Sequence, residues 1–301
     1  STPEPEPAHP MSRIAYVNGR YLPHRDASVH IEDRGFQFAD GVYEVIAVND
    51  GRFVDEAPHL ARLHRSLDAL RMTPPMSDAA LKAVLREVVR RNGVQQGIVY
   101  FQVTRGAAAR DFAFPAKARP SLVVTARRKT LADPRLIERG VRVITIPDIR
   151  WARPDIKSVA LLPNALGKQQ AKDAGAFEAW QIDRDGNVTE GTSSNAWIIT
   201  AGGEVVTRQA DSGILNGVTR LGLLRLIAAN HLRFVERPFS LAEAKAAAEA
   251  FLTSASNFLI PVVRIDDSVL GNGTPGPLTR RLFAAYAAHA GQDAEGAGGG
   301  G

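Results

Sequence analysis

The chain has 301 residues, more than one hydrophobic core usually serves, so two domains are the default expectation. Hydrophobic residues make up 45% and charged residues 23%, the balance of an ordinary globular protein. The net charge of +5 comes from scattered Lys and Arg, and the run Arg127-Arg128-Lys129 has no interleaved aromatics; small anions fit this charge better than nucleic acid.

In chain order, Ser1–Pro10 is Pro/Glu-rich with no apolar signal region, and residues 1–12 read as a disordered extension. Asn18-Gly19 between Ile14–Val17 and Arg20–Leu22 is a hairpin signal, since the pair supplies the positive φ values of a tight turn. Val42–Val48 is a strand closed by Asn49-Asp50-Gly51. Leu60, Leu63, Leu67 and Leu70 repeat at helical spacing, as do Leu81, Val84, Leu85 and Val88. Ile98–Val103 and Leu122–Thr125 complete a small N-terminal domain over 13–127, with a linker at 128–136.

A larger domain follows over 137–290. It opens with the strand Val141–Ile146, a helix around Ala165–Ala174 and the strand Ala179–Asp183. The strand Ala196–Thr200 and the helix Gly217–Ala229 come next. Ser240-Leu-Ala-Glu243 is a capping box, in which serine and glutamate satisfy amides at a helix start. Phe251–Thr253 and Pro261–Ile265 are short strands, and Leu278–His289 is a final helix before a disordered tail over 291–301. The bottom-up expectation is an α+β, two-domain architecture. No apolar run approaches the roughly 18 residues of a membrane span. Cysteine is absent, which excludes disulfides and thiolate metal sites and fits a cytoplasmic location. The histidines show no shared-face spacing for a metal, and no Gly-Lys-Ser phosphate loop or Gly-x-Ser-x-Gly turn occurs.

Chemistry concentrates in the second half. Lys157, flanked by Ile156 and the apolar run Val159–Leu162, reads as a partly buried strand end, and desolvation lowers the pKa of such an amine. Glu190 opens the Gly/Ser-rich turn Thr189-Glu-Gly-Thr-Ser-Ser-Asn195. A lysine amine that forms a Schiff base with an aldehyde, and an acid that partners a pyridinium nitrogen, are what pyridoxal 5'-phosphate chemistry requires.

The words around these residues resemble the D-amino acid aminotransferase family of the fold-type IV pyridoxal phosphate enzymes. Arg34-Gly-Phe-Gln-Phe-Ala-Asp-Gly-Val-Tyr-Glu44 and Tyr100-Phe-Gln-Val-Thr-Arg-Gly106 are similar to the family's small domain. Ile149-Arg-Trp, Asp155-Ile-Lys-Ser158, Thr189-Glu-Gly191, Gly217-Val-Thr-Arg220 and Thr253-Ser254 follow in the family's order, from about Tyr16 to Ala284 overall. The resemblance implies that Lys157 bears pyridoxal 5'-phosphate and shuttles the proton, while Glu190 pairs with the ring nitrogen. It implies phosphate contacts from Arg62, on the polar side of its leucine-striped helix. Further cofactor contacts would come from Val218, Thr219, Ser254, Ala255 and Ser256, with Leu215 packing on the ring.

For the substrate, the resemblance implies Tyr43, Val45, Arg110 and Phe112, with the Arg110 loop reaching over a neighbouring subunit's site in a homodimer. Phe112 stands where family members carry a histidine. The implied activity is ping-pong transamination between D-amino acids such as D-alanine and 2-oxo acids. Branched-chain L-amino acid aminotransferases, (R)-selective amine transaminases and aminodeoxychorismate lyases share the scaffold and are the alternatives. A non-enzymatic module that binds phosphorylated ligands is the rival of a different class.

Overall fold

In a computed structural model, which describes residues 13–296, Asn18 (φ +48°) and Gly19 (φ +96°) turn β1 (Ile14–Val17) into β2 (Arg20–Pro23) as the pair's conformational freedom requires. The extension expected over 1–12 lies outside the described residues, as does the tail from 297 onward. α1 (Arg34–Phe38) starts on Asp33, whose carboxylate accepts the Gly35 N–H at 2.8 Å. β3 (Gly41–Asn49) and β4 (Arg52–Phe53) form the second hairpin. The two leucine stripes become α2 (Glu56–Ala69) and α3 (Asp78–Arg91), and β5 (Gly97–Thr104) and β6 (Ser121–Arg128) follow. The six strands make one antiparallel sheet in the order β2-β1-β6-β5-β3-β4. Leu63, Leu67, Leu81 and Leu85 bury their stripes against Val42, Ile46 and Phe101 of that sheet.

The stretch read as a linker is partly regular: β6 runs through Arg128, and Asp133 caps α4 (Pro134–Arg139), a helix the apolar spacing does not announce. β7 (Val141–Pro147), α5 (Leu162–Asp173) and β8 (Glu178–Ile182) form parallel β-α-β structure. β9 (Val188–Gly191), β10 (Asn195–Ile199), β11 (Val205–Thr207), α6 (Val218–Ala229) and β12 (Phe234–Glu236) come next. α7 (Leu241–Lys245), β13 (Glu249–Ser254), β14 (Phe258–Ile265), β15 (Ser268–Val269) and α8 (Pro277–Gly296) complete the described chain. The second sheet is mixed, in the order β12-β11-β10-β13-β14-β7-β8-β9, with β15 beside β14.

Two expectations change here. The capping box forms by half: Ser240 Oγ accepts the Glu243 N–H at 3.1 Å, but the Glu243 carboxylate pairs with Arg237 instead of turning back. The final helix runs past His289 to Gly296, into the stretch read as tail.

The two halves share a buried core. Ala47, Val54 and Ile98 from the first meet Trp197, Phe251 and Leu223 from the second, with Tyr286 of α8 in the same cluster. The Tyr286 hydroxyl donates to Asp55 at 2.8 Å, so the last helix ties back to the first half. Residues 148–161 then cross from β7 to β3, where an isolated bridge joins Ser158 to Val42.

Candidate active site

Lys157 sits on that irregular crossing, not on a strand end. Its position is nevertheless well determined. Ile156 is buried in the core of the first sheet, the Tyr43 N–H donates to Lys157 O at 3.0 Å, and Val159 N–H donates to Gly41 O at 3.0 Å. Lys157 N–H donates to Ser66 Oγ of α2 at 3.2 Å. The segment is thus hydrogen-bonded like an extra edge strand for one residue pair, which leaves the half-buried Lys157 side chain facing a pocket. Its Nζ lies 4.2 Å from the centroid of the Tyr43 ring, a favourable seat for a cation.

Glu190 stands near the end of β9 and not at the opening of a turn. Its carboxylate is buried and accepts from the Arg150 guanidinium, from Asn195 Nδ2 at 3.0 Å and from the Leu215 N–H at 3.1 Å. Burial pushes the carboxyl pKa up from its ordinary value, and Arg150 and the Leu215 amide pull against that rise. Arg150 in turn donates to Asp148 at 2.6 and 3.0 Å, and Thr189 Oγ1 donates to the same carboxylate at 2.8 Å. Asn195 also donates to Leu215 O at 2.9 Å, and a Cβ on Gly217 would come within 2.1 Å of the Asn195 Oδ1. Only glycine leaves Asn195 room to hold Glu190.

Gly217 precedes α6 and offers no side-chain cap. The helix start therefore presents amides and a positive dipole end to the pocket, with buried Thr219 in its first turn. Ser254, which also lines the pocket, has a buried hydroxyl with no hydrogen-bond partner. Arg62 is not on a polar helix face as its sequence position suggested. It is buried and forms a two-point ion pair with Glu44 at 2.7 and 2.8 Å, and its remaining arm donates to Asn216 O at 3.2 Å. His59, one turn earlier, bonds the same carboxylate at 2.7 Å. Burial lowers the His59 pKa against the pull of Glu44, and the ring N–H is the donor because the carboxylate can only accept.

Tyr43, Val45, Leu215, Val218, Ala255 and Ser256 line the same pocket as Lys157 and Glu190. Arg110 and Phe112 do not. They belong to the exposed stretch between β5 and β6, where the Arg110 guanidinium lies 4.6 Å from the Phe38 ring centroid and Phe112 is 85% exposed. The sequence reading missed Arg150, Asp148, Asn195 and Glu44. Arg150 and Glu44 stood inside matched words, but nothing in those words states a partner.

Residues 41–265 match the family model described as amino-transferase class IV. A D-alanine aminotransferase of Bacillus licheniformis is 42% identical over 266 residues, which cover 88% of this chain and 93% of that protein. One from Staphylococcus haemolyticus is 37% identical over 275 residues, 90% of this chain and 95% of that protein. Among solved structures, the branched-chain amino acid aminotransferase of Escherichia coli has the same fold, with a TM-score of 0.85 at 22% identity over 92% of this chain and 94% of that one. The branched-chain amino acid aminotransferase of T.th., solved with pyridoxamine 5'-phosphate, gives a TM-score of 0.84 at 25% identity, covering 93% and 95%. The α+β, two-domain architecture of fold type IV is therefore the architecture of this chain.

Proposed function

The chain belongs to the class IV aminotransferases, a family of pyridoxal phosphate enzymes, and from that premise we propose that it moves amino groups between D-amino acids, D-alanine among them, and 2-oxo acids with pyridoxal 5'-phosphate bound at this site. The observation that carries the reading is one pocket lined by Lys157, Glu190 and the uncapped start of α6. The D-alanine aminotransferases are 35–42% identical to this chain, whereas the branched-chain enzymes of like fold reach 22–25%, which favours the D-amino acid branch.

The residues present suit the cofactor. A phosphate would give the Ser254 hydroxyl the acceptor it lacks, and it would meet the amides of α6 with Arg62 beside them. Leu215 offers an apolar surface and Glu190 a carboxyl group held by Arg150 and Asn195.

When bound, the cofactor supplies an electrophilic carbon for the amine and a ring that takes up electrons released at the substrate Cα. Lys157 Nζ would hold that carbon and, once displaced by substrate, take the proton from Cα and return it at C4'. Glu190 would accept the ring N–H. A buried carboxyl alone drifts toward its neutral form, so Arg150, Asn195 and the Leu215 amide are what keep Glu190 an acceptor. Tyr43 and Val45 would border the substrate. Two half-reactions at one site make the cycle ping-pong: the donor leaves its amino group before the 2-oxo acid enters.

We further propose a homodimer in which the loop carrying Arg110 and Phe112 completes the neighbouring pocket. The exposed apolar side chains Ile31, Phe36, Phe112 and Phe114 on and around that loop support this, since such clustered exposure is typical of an interface. Paired assays with D-alanine and L-alanine as donors and 2-oxoglutarate as acceptor test the function. D-alanine should be the substrate; turnover confined to L-alanine would move the chain to the branched-chain reading.

A further inference from the structure

Lys129 follows β6, and its backbone N–H is fixed on Gln96 O at 3.2 Å. Its side chain crosses to the turn between β13 and β14, where Nζ donates to Ser256 Oγ at 2.8 Å and to Asn257 Oδ1 at 3.2 Å. Both partners are neutral. Among the described residues no carboxylate pairs with this amine, and the charged groups that act on it, Arg127 and Lys168, are cations. The side chain is half-buried, so water screens the charge incompletely. An ammonium has three N–H groups, and two of them are engaged. Ser256, one hydrogen bond away, lines the pocket that holds Lys157 and Val45. The positive charge is therefore one residue behind the pocket wall, and among the described residues no carboxylate neutralises it.

Resting on the aminotransferase reading, we infer that Lys129 and Ser256 form a recognition point for the second carboxylate of a dicarboxylic substrate, such as 2-oxoglutarate, and that Lys129 sets the preference for dicarboxylic over monocarboxylic 2-oxo acids. An entering carboxylate supplies the missing counter-charge and accepts from the free ammonium N–H and from the Ser256 hydroxyl, whose oxygen already receives Lys129. The cofactor phosphate is the other anion near this wall, but Arg62, the α6 start and the Ser254 hydroxyl already provide for it.

The test compares holoenzyme of the wild type, Lys129→Met and Lys129→Arg, with D-alanine as donor and either 2-oxoglutarate or 2-oxobutyrate as acceptor. Lys129→Met should lose roughly ten- to a hundredfold in kcat/KM for 2-oxoglutarate, the span of one charge-assisted hydrogen bond. Its activity with 2-oxobutyrate and its retention of pyridoxal phosphate on dialysis should match the wild type, and Lys129→Arg should keep the preference for 2-oxoglutarate. Calorimetry with glutarate, which needs no turnover, should show weaker binding to Lys129→Met and unchanged binding to Lys129→Arg. Equal losses on both acceptors, a loss of cofactor retention or unchanged glutarate binding each overturns the assignment. A wild type that transaminates neither acceptor overturns the functional reading and this inference with it.

Discussion

Arg150 donates to Glu190 while also binding Asp148 through two hydrogen bonds, so the carboxylate facing the pocket is held by a cation that is itself fixed from behind. Burial opposes the charge on Arg150, yet the two carboxylates more than offset it and leave the guanidinium more firmly protonated than in water. Replacing it with Met leaves the burial of Glu190 far less opposed. Breaking a buried pair in this way costs about 3–5 kcal/mol. Arg150→Met should lower unfolding free energy by that order and slow the half-reaction with D-alanine. Denaturant unfolding and single-turnover rates check both; a variant as stable and as fast as wild type would remove Arg150 from the account.

Glu190→Gln tests the carboxylate itself. The amide keeps the size and one acceptor but loses the charge, worth about 1.5–3 kcal/mol for a charge-assisted hydrogen bond, or roughly ten- to a hundredfold in rate. The expected outcome is a folded protein that still binds pyridoxal phosphate and transaminates slowly. Single-turnover rates equal to wild type would take Glu190 out of the chemistry.

Glu44 is fully buried, 0% exposed, and pairs with Arg62 and His59. Burial alone would raise its pKa, but Arg62 and His59 outweigh that and hold it well below the ordinary value of 4.5. A carboxyl depressed in the folded state contributes stability fully above its unfolded pKa and loses it as pH falls through the folded value. Part of the protein's acid sensitivity should therefore set in within the ordinary carboxylate range, continue as pH falls toward the depressed folded value, and trace to Glu44. Glu44→Gln strands the Arg62 charge, and should cost about 3–5 kcal/mol at neutral pH while flattening the stability-versus-pH curve in acid. Parallel curves for the two proteins would contradict the assignment. Arg62→Ala should in addition speed loss of pyridoxal phosphate on dialysis, since the remaining arm of Arg62 lies at the α6 start.

Arg110 lies outside its own chain's pocket, which makes subunit complementation the natural test. In a homodimer built as proposed, Arg110→Ala should cost about 1.5–3 kcal/mol in kcat/KM for D-alanine, by the same charge-assisted hydrogen bond. Lys157→Ala should have no multiple turnover. After unfolding and refolding the two together, half the dimers are mixed, and each mixed dimer holds one intact site. Activity should then return to roughly a quarter of wild type. No recovery on mixing would mean that Arg110 does not serve a neighbouring subunit.

Much of this arrangement was legible in the sequence because it is local. Asn18-Gly19 encodes its own turn, and the leucine stripes at 60–67 and 81–88 encode their buried faces. Lys157 and Glu190 stand out as candidates through the words around them. What failed was pairing across distance. Arg62 on α2 reads as a surface residue until Glu44 on β3 is set beside it, and no periodicity announces that contact. The same holds for Arg150 and Glu190, which meet only when β9 comes alongside the crossing that follows β7. Short elements such as α4, β11 and β12 were also silent, being too brief for a period to register and held by neighbours more than by propensity.

The central claim is that Lys157 carries the cofactor, and the most direct measurement is where borohydride fixes it. Purified protein loaded with pyridoxal 5'-phosphate is reduced, digested and mapped by mass spectrometry. The visible absorbance should disappear, and the added mass should lie on the peptide containing Lys157. Lys157→Ala should bind pyridoxal phosphate through the groups around α6 but acquire no such adduct. An adduct on another lysine of the wild type, or near wild-type turnover by Lys157→Ala, would contradict the account.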